Sequence, residues 1–484
     1  MTKKRLALLL GGTVAAIALI FGVFVTLPAP TVTKTPAAKK PVVKVATDLD
    51  QIFDPSKVSQ TFIDLPAKSQ ATLNNIAETA YVPATFRMIY NGHETQAINV
   101  GIKLKGTTTR STLSNTWYRP SFKIKFDWAK GYKTQTLFGL KELTLNGFNQ
   151  DSSRLHETYA YESYRAMGIP APRTGFTTIT FEGKSTPNTP NRGLYLVLES
   201  EDDVFFGANF KDVTQHVYEN NHDVTDFDAA KIGGNTKVST YFKVKQGWNA
   251  TPNKDDLKAF VKAINTSGET FWNNLDKVAD RNELIMLFAV DNFTGNWDTY
   301  SGPMRNNFTF RSNVEGKFTF VPWGTDQSFG ENLMNDSSAR QRFADFQIKY
   351  IAHDDFFMKV DSPYTSYPGS YIFAHSAGVT DYDTAINYPV ARGKIFAKCL
   401  AVAECSTLYF QDLQKVNEWS KQVGMADQMA KTNNLIASLL NQYQKTEGTR
   451  TSKWVTKQQL KIDDAINKHC KVNGATIVSC SAIN

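Results

Sequence analysis

The sequence lacks most of the short motifs that identify an enzyme class. No G-x-G-x-x-G, H-E-x-x-H or G-x-S-x-G pattern occurs, and the seven histidines are scattered without ligand spacing. The stretch GIKLKGTTT, residues 101–109, has the glycine spacing of a phosphate-binding loop, but Thr107 stands where that loop needs lysine. A complete P-loop is therefore excluded, and the stretch is typical of a strand that enters a turn.

Acidic residues are absent from residues 1–44, which carry nearly all of the formal net charge of +8. The remaining chain is almost neutral, which argues against a nucleic-acid-binding body. An uncharged run from residue 6 to 27 follows the basic Lys3 to Arg5 and is about long enough to cross a ~30 Å hydrocarbon core. We expect residues 1–27 to anchor the protein in the cell membrane, and a cleaved signal peptide is the alternative.

The segment that follows, residues 28–58, begins with a stretch rich in Pro, Thr, Ala and Lys. Such a composition buries too little apolar surface to order, so we expect an extended tether. With an anchor the body is extracytoplasmic and membrane-bound, and with a cleaved signal peptide it is secreted. Both alternatives export the body.

Cysteine is scarce and confined to the last part of the chain, at Cys399, Cys405, Cys470 and Cys480. No C-x-x-C spacing or histidine cluster accompanies these residues, which disfavours zinc. Disulfides suit an exported body. Sequence proximity favours Cys399 with Cys405 and Cys470 with Cys480, although four cysteines allow three connectivities and free thiols are a further alternative.

The first half of the body has mainly strand patterns. Asn91-Gly92 separates two alternating runs and predicts a hairpin. A strand is predicted at SFKIKFDW, residues 121–128, with Lys123 and Lys125 on one face. From Asp151 a helical pattern of about four turns ends near Gly168. Strands are also predicted at FGLKELTLNGFN, FTTITFEG and RGLYLVLE.

The second half is more helical and contains two polar loops. Asp280 and Glu283 predict the start of a helix that ends near Gly295, and Asp298 follows in a short loop. Two alternating strands around a turn at residues 313–317 then lead to Asp326. Beyond residue 400, amphipathic helices dominate.

Asp298, Asn307 and Asp326 are predicted to converge, because the ends of a hairpin lie side by side about 5 Å apart. Hard oxygen donors without soft partners favour magnesium, with manganese as the alternative metal. A catalytic-loop Asp, an Asn, a hairpin and a metal-binding Asp are also the order of parts in a protein kinase. Ordinary loop caps and Asx-turns are the alternative interpretation.

From about Thr61 to Asp412 the chain resembles the CotH family of atypical, secreted protein kinases. The matching stretches are, in the family's order, VGIKLKGTTT, RPSFKIKFDW, FGLKELTLNGFN, RLHETYAYESYRAMGIPAPRTGF, RGLYLVLESEDDVF, LFAVDNFTGNWDTY, NNFTFRSNVEGKFTFVPWGTDQSFG and, more weakly, ARGKIFAKCL.

This resemblance implies an α+β, reduced two-lobed kinase-like fold with ATP between the lobes. The strand-rich N-lobe would span residues 59–204 and the helical C-lobe residues 205–412. Residues 413–484 lie outside the resemblance and are expected to form a helical extension with a disulfide.

The resemblance also assigns roles to particular residues. Asp298 would be the catalytic aspartate that accepts the proton of a substrate hydroxyl. Asp326 would bind Mg²⁺ with help from Asn307. The family generally has Trp-Asp-x-Asp in this second loop, whereas this chain has Trp323, Gly324, Thr325 and Asp326, so the first carboxylate is missing.

The sheet half should supply the positive charge for ATP. Lys123 or Lys125 would hold the α- and β-phosphates, with Glu157 as the partner of that lysine, and Lys105 is a third candidate. Glu199, at the end of an apolar strand, would contact adenine. A solvated strand face is the alternative for Lys123 and Lys125.

The sequence thus predicts an exported kinase that transfers the ATP γ-phosphate to Ser or Thr of envelope or secreted proteins. One alternative is a non-catalytic binding or assembly protein on a degenerate kinase scaffold. A further alternative retains ATP but transfers another moiety, such as AMP or glutamate, because a fold does not fix the chemistry.

Overall fold

A large sheet organises the first half of the body. The structure, a computed structural model, describes residues 47–106, 110–115, 119–128, 131–183, 191–211, 216–220, 227, 242–246, 255–296, 299–301, 308–313, 315–330, 349–351, 359–361 and 393–482. Residues from 46 onward form one compact unit. The fold is mixed α+β, and the two lobes and their boundaries at 204 and 412 stay predictions.

The large sheet has eight strands in the order β1-β7-β8-β6-β5-β4-β2-β3. Its β1 and β7 run parallel, and the other neighbours are antiparallel. Because β1 also pairs with β2, seven of the strands close into a ring. Its strands are β1 (Val58–Asp64), β2 (Val82–Tyr90), β3 (His93–Glu94), β4 (Ile98–Lys105), β5 (Ser121–Lys125), β6 (Glu142–Asn146), β7 (Thr174–Glu182) and β8 (Asn191–Glu199).

Smaller sheets and helices complete the described elements. The remaining strands are β9 (Val217–Asn220), β10 (Phe242–Gln246), β11 (Phe308–Ser312), β12 (Phe318–Pro322), β13 (Lys349–Ile351), β14 (Lys359–Asp361), β15 (Cys470–Asn473) and β16 (Thr476–Cys480). The helices are α1 (Asp48–Ile52), α2 (Ala67–Leu73), α3 (His156–Ala166), α4 (Asp203–Asn209), α5 (Asp255–Ile264), α6 (Gly268–Val278), α7 (Arg281–Thr294), α8 (Lys394–Leu400), α9 (Ala403–Gln422), α10 (Met425–Ile436) and α11 (Gln442–His469).

The predicted hairpins are confirmed. Asn91 and Gly92 have φ of 45° and 80°, the left-handed backbone that a tight hairpin turn requires at both central residues. The strands β11 and β12 pair antiparallel with Phe308 opposite Pro322. The loop that contains Asp326 therefore starts at the end of this hairpin.

Two apolar cores lie on opposite faces of the ring. Strand alternation sends one set of side chains inward, including Phe86, Ile102, Phe122, Leu145 and Val197, all of them buried. The other face of β7 and β8 packs into a second core with helices that include α3, α7, α9 and α11. This outer face of the sheet carries the polar residues of the candidate site.

Helix α3 starts later than the sequence pattern predicts. Arg154 has a φ of 70°, which a helix cannot continue through, and the first helical residue is His156. The Asp151 carboxylate accepts hydrogen bonds from the amides of Arg154 and His156, at 2.7 and 2.8 Å. The helix ends as predicted, before Gly168 with a φ of 81°.

Helix α7 is buried along most of its length, from Leu284 to Thr294. Its predicted limits are confirmed: Asp280 is the N-cap and accepts from the Glu283 amide at 3.2 Å, and Gly295 ends the helix with a φ of 63°. A helix that is apolar on all sides belongs inside a core. Its last turn is consequently a fixed base for the loop that follows.

The C-terminal part is helical as predicted, and the hairpin of β15 and β16 follows α11. Disulfides join Cys399 to Cys405 and Cys470 to Cys480, which confirms the pairing that sequence proximity favours. Within the described residues no helix combines the length and the hydropathy needed to span a bilayer. The predicted anchor, residues 1–27, lies outside them.

Replacement of the α7 N-cap tests how far this helix depends on its first turn. Asp280→Ala should lower the free energy of unfolding by about 1 kcal/mol, because the Glu283 amide loses its acceptor. Asp280→Asn retains a capping oxygen and serves as the control, with a loss of only a few tenths of a kcal/mol. Urea denaturation of both variants measures the difference, and equal losses would contradict the capping role.

Candidate functional site

Lys105 ends strand β4 and faces the loop that follows β12. Its Nζ lies 5.3 Å from the centre of the Trp323 ring, within the range of a cation–π contact. In the β4–β5 register Lys105 lies opposite Ser121. Ser121 Oγ donates to Asn146 Oδ1 at 3.1 Å, so Lys105 stands at the same end of the sheet as Asn146.

Glu157 enters this end of the sheet from the first turn of α3. Its side chain is buried, and Asn146 Nδ2 donates to Glu157 Oε2 at 2.6 Å. Burial raises the pKa of Glu157 to about 8, with a further contribution from the charge of Asp326, while Lys105 opposes the shift. Glu157 thus lies within electrostatic reach of both Asp326 and Lys105.

Asp326 lies in the loop between β12 and Gly330. Burial raises the pKa of Asp326, and the nearby charge of Lys105 opposes that rise. The loop is attached at both ends: the Gly324 amide donates to Tyr161 Oη at 3.0 Å, and the Phe329 amide donates to the Thr294 carbonyl at 2.6 Å. Helices α3 and α7 therefore fix the loop that carries Asp326.

The carbonyl of Asp326 has its own support. His156 Nδ1 lies 3.0 Å from that oxygen, and His156 Nε2 lies 3.1 Å from Thr451 Oγ1 on α11. His156 is buried next to Asp151, whose carboxylate also raises the pKa values of Glu157 and Asp326. The site thus concentrates three buried acidic groups, with Lys105 as a positive neighbour.

Lys123 and Lys125 lie on the same face of the sheet but further along it. Lys123 Nζ pairs with Glu142 Oε1 at 2.5 Å, and Glu142 Oε2 also accepts from Tyr81 at 2.5 Å. Lys125 Nζ is 3.9 Å from Asp127 Oδ1. The expected pairing of either lysine with Glu157 is wrong, because the strand register brings Lys105 to that end of the sheet. Any contact of Lys123 or Lys125 with phosphate stays a prediction.

Asp298 and Asn307 lie outside the described residues. The described chain after Asp298 is held by a carboxylate that the sequence analysis missed, that of Asp291 in α7. Ser301 Oγ donates to Asp291 Oδ2 at 2.5 Å, and Thr299 Oγ1 lies 3.4 Å from the same oxygen. Tyr164 of α3 donates to Asp291 Oδ1.

Asp291 is fully buried, and burial raises its pKa to about 7 against the hydrogen bonds that it accepts. The backbone closes the same loop, because the Asn296 amide donates to the Asp291 carbonyl at 3.0 Å. A carboxylate inside the apolar run LIMLFAVDNF was the sequence signal for this role. Asp291 therefore fixes Asn296, Thr299 and Ser301, described residues on either side of Asp298.

A comparison with protein families shows to which family the chain belongs. The family model described as CotH kinase protein matches residues 102–360, a little over half of the chain. The chain belongs to the CotH family. The match includes Lys105, Glu157, Asp298 and Asp326, and it ends before α8.

A comparison with curated proteins finds a relative with a related name. The chain is 23% identical over 243 residues to the inner spore coat protein H of Bacillus subtilis (strain 168). The aligned part covers 50% of this chain and 62% of that relative. The resemblance to the CotH family that the sequence motifs indicate is thereby confirmed.

Glu199, expected to contact adenine, lies in an ion pair. Arg173 Nε and Nη2 donate to its two carboxylate oxygens at 3.0 and 2.7 Å, and the Arg173 amide adds a third hydrogen bond at 3.1 Å. The Glu199 amide in turn donates to the Arg173 carbonyl. A contact of Glu199 with adenine stays a prediction for this CotH protein.

The raised pKa of Glu157 predicts a pH dependence of stability. Between its ordinary value of 4.5 and about 8, unfolded Glu157 has released its proton while folded Glu157 holds it. The free energy of unfolding contributed by this residue therefore falls as pH rises through that window. In EDTA, the free energy of unfolding of the wild type minus that of Glu157→Gln should decrease from pH 5 to pH 8.

Urea denaturation at intervals of one pH unit measures this difference. Glutamine retains the oxygen that accepts from Asn146, so the variant isolates the titration from the hydrogen bond. A difference that stays flat above pH 5 would contradict the raised pKa and would indicate an ionised Glu157 paired with Lys105.

Proposed function

We propose that this CotH protein is an ATP- and Mg²⁺-dependent kinase that transfers the γ-phosphate to Ser or Thr of envelope or secreted proteins. The observation that carries the proposal is the convergence of Lys105, Glu157 and Asp326, which come from β4, α3 and the loop after β12. A lysine on the sheet, a glutamate on the adjacent helix and an aspartate after a hairpin are the parts that kinases use to hold ATP and metal. The kinase description of the matching family supports the same function.

The chemistry of the side chains fits a divalent cation. Burial raises the pKa of both Glu157 and Asp326, and the charge of Asp151 adds to each rise, so a cation there would favour the ionised carboxylates. Within the described residues no three acidic, histidine or cysteine side chains form a metal cluster. In this proposal Asp326 and Asn307 would hold Mg²⁺ together with water and phosphate oxygens, as is usual for this ion. Bound Mg²⁺ would neutralise phosphate charge in the transition state.

Each protein residue then has a limited task. Lys105 binds the α- and β-phosphates, and Glu157 orients Lys105. Asp298 accepts the proton of the substrate hydroxyl as the hydroxyl oxygen attacks the γ-phosphorus, the bond from the γ-phosphorus to the β–γ bridging oxygen breaks, and ADP leaves. Asp291, through Ser301 and Thr299, holds the chain after Asp298 in place. Phosphoryl transfer depends on such positioning and on charge neutralisation more than on covalent chemistry.

The proposed location is the outer side of the cell membrane, or the exterior after cleavage of residues 1–27. The two disulfides support it, because disulfides persist in oxidising compartments. The name of the Bacillus relative, an inner spore coat protein, is consistent with an envelope or coat substrate.

A second candidate function is a binding or assembly protein on an inactive kinase scaffold. Gly324 favours it, since this residue replaces the first aspartate of the family's Trp-Asp-x-Asp pattern. Gly324 has a φ of 62°, a backbone conformation that suits glycine, and its amide donates to Tyr161. The loop is thus adapted to glycine at this position.

Nucleotide binding should depend on Lys105 and not on Lys123. In a thermal shift assay of residues 48–484, ATP with Mg²⁺ should raise the apparent stability of the wild type, by about 2.7 kcal/mol at 100 times Kd. Lys105→Met should abolish the shift, because it removes the ammonium group that is proposed to bind the α- and β-phosphates. Lys123→Met removes the ion pair with Glu142 and is the matched control that retains the shift. Loss in both variants, or no shift in the wild type at millimolar ATP, would contradict the proposed site.

Phosphoryl transfer should depend on the two acidic loops. Asp298→Asn and Asp326→Asn should each lower Mg²⁺-dependent autophosphorylation, on the order of 10²–10⁴-fold for loss of the general base. Asp427→Asn, on the exposed first turn of α10, is the control and should leave the rate unchanged. Mass spectrometry of the product distinguishes phosphate from AMP or glutamate. Shifts with ATP but no modified product would favour the binding protein instead.

A further inference from the structure

Helix α11 lies beyond the matched region of the CotH family, yet it contacts both loops of the proposed site. Trp454 makes these contacts directly, and Thr451 and Gln458 on the same face of α11 bond His156 and the last turn of α7, which adjoin the loops. Their spacing of three and four residues places them in a row along the helix. The row begins at the Asp326 loop and ends at the last turn of α7.

Trp454 is the central member of the row and is almost fully buried, at 5% exposed. A Cβ atom built on Gly330 would lie 2.6 Å from Trp454 Cδ1, and one built on Gly295 would lie 3.0 Å from Trp454 Cζ2. The indole ring therefore packs directly against both Gly330, which ends the Asp326 loop, and Gly295, which ends α7 ahead of Asp298. Phe329 packs edge-on against the same ring, with 5.8 Å between centroids.

The other two members make polar contacts. Thr451 Oγ1 lies 3.1 Å from His156 Nε2, and His156 Nδ1 lies 3.0 Å from the Asp326 carbonyl. Gln458 Nε2 donates to the Asn292 carbonyl at 3.0 Å, in the last turn of α7. Helix α11 thus packs Trp454 against both glycines and is hydrogen-bonded to His156 beside the Asp326 loop and to the last turn of α7 before Asp298.

We propose that Trp454 is a positioning residue that sets the separation between the loops of Asp298 and Asp326, with α11 as an integral part of the site. This role rests on the proposed function for its catalytic meaning. The indole is rigid and wide, so it fixes the distance between Gly295 and Gly330 at the edge where the two loops meet. The hydrogen bond from the Phe329 amide to the Thr294 carbonyl is a further link between the Asp326 loop and the end of α7.

Hydrogen–deuterium exchange tests the positioning role without any need for activity. In residues 48–484, Trp454→Ala should increase exchange of the amides in both 291–301 and 323–330. Ile462→Ala is the control, because Ile462 is buried on the same helix, beside Asp463, which bonds Asn417 and Lys421 on α9. After correction for global stability from urea denaturation, the control should leave these two segments unchanged.

Two further variants separate the contribution of the Trp454 ring from that of the Thr451 hydroxyl. Trp454→Phe keeps an aromatic ring and should restore much of the protection, which maintains the test if the alanine variant fails to fold. Thr451→Val removes the hydroxyl near His156 at similar volume and should increase exchange in 323–330 but not in 291–301. Equal increases in Trp454→Ala and Ile462→Ala, or no increase in either segment, would overturn the proposal.

A kinetic measurement connects the positioning role to the reaction. Trp454→Ala should lower kcat for autophosphorylation at least tenfold and change KM for ATP less than threefold, because Lys105 and Glu157 are untouched, and Trp454→Phe should restore part of the lost kcat. An equal effect on kcat and KM would overturn the assignment to loop positioning. If the wild type transfers no phosphate, the proposed function fails, whereas the exchange experiment still decides whether Trp454 holds the two loops.

Discussion

Burial of the carboxyl groups of Glu157 and Asp326 near Asp151 is the constraint around which the site is built. Burial raises the pKa of both groups, and Lys105 opposes the shift of each. Taking ionisable groups out of water costs free energy, so rigid backbone elements are needed to keep these groups together. The rest of the architecture supplies that rigidity, from the closed ring of strands under Lys105 to the helices behind the two loops.

Rigidity comes from different sources on each side. Lys105 lies on β4, which pairs with a neighbouring strand on each edge, and Glu157 accepts a hydrogen bond from Asn146 of β6. Asp326 lies in a loop tied to Tyr161 of α3 and to Thr294 of α7. The described chain beside Asp298 is tied to Asp291, which also accepts from Tyr164. Helices α3 and α7 therefore connect the sheet to the Asp326 loop and to the described residues beside Asp298.

The C-terminal helices extend this support beyond the region that the CotH family model matches. Trp454 packs so closely on Gly330 that a Cβ atom there would lie only 2.6 Å from the ring, and a Cβ atom on Gly295 would make a tight contact at 3.0 Å. Both glycines also have left-handed backbone, with φ of 63° and 81°, so the loop geometry and the close approach of the indole favour the same residue. A segment expected to be a separate helical extension is thus joined to the site by packing.

Local signals in the sequence determined a large part of the fold. Asn91-Gly92, Asp280 with Gly295, and the alternation around residues 313–317 act through nearest-neighbour geometry, and the structure has those elements. The disulfide pairing also followed from short separations. The start of α3 did not follow from local signals. The Asp151 carboxylate accepts hydrogen bonds from the amides of the residues three and five positions later, and Arg154 has a left-handed backbone conformation, so the helix begins only at His156.

Only the tertiary structure decided which charged residues meet. Lys105, Lys123 and Lys125 are equivalent in sequence pattern, since all three alternate onto one face of a strand. The β4–β5 register and the position of α3 bring Lys105 to Glu157 and leave Lys123 with Glu142. The roles of Asp291, His156 and Trp454 likewise depend on contacts across as many as 295 residues. Periodicity determines which face a side chain occupies, whereas strand register and helix docking determine what lies opposite it.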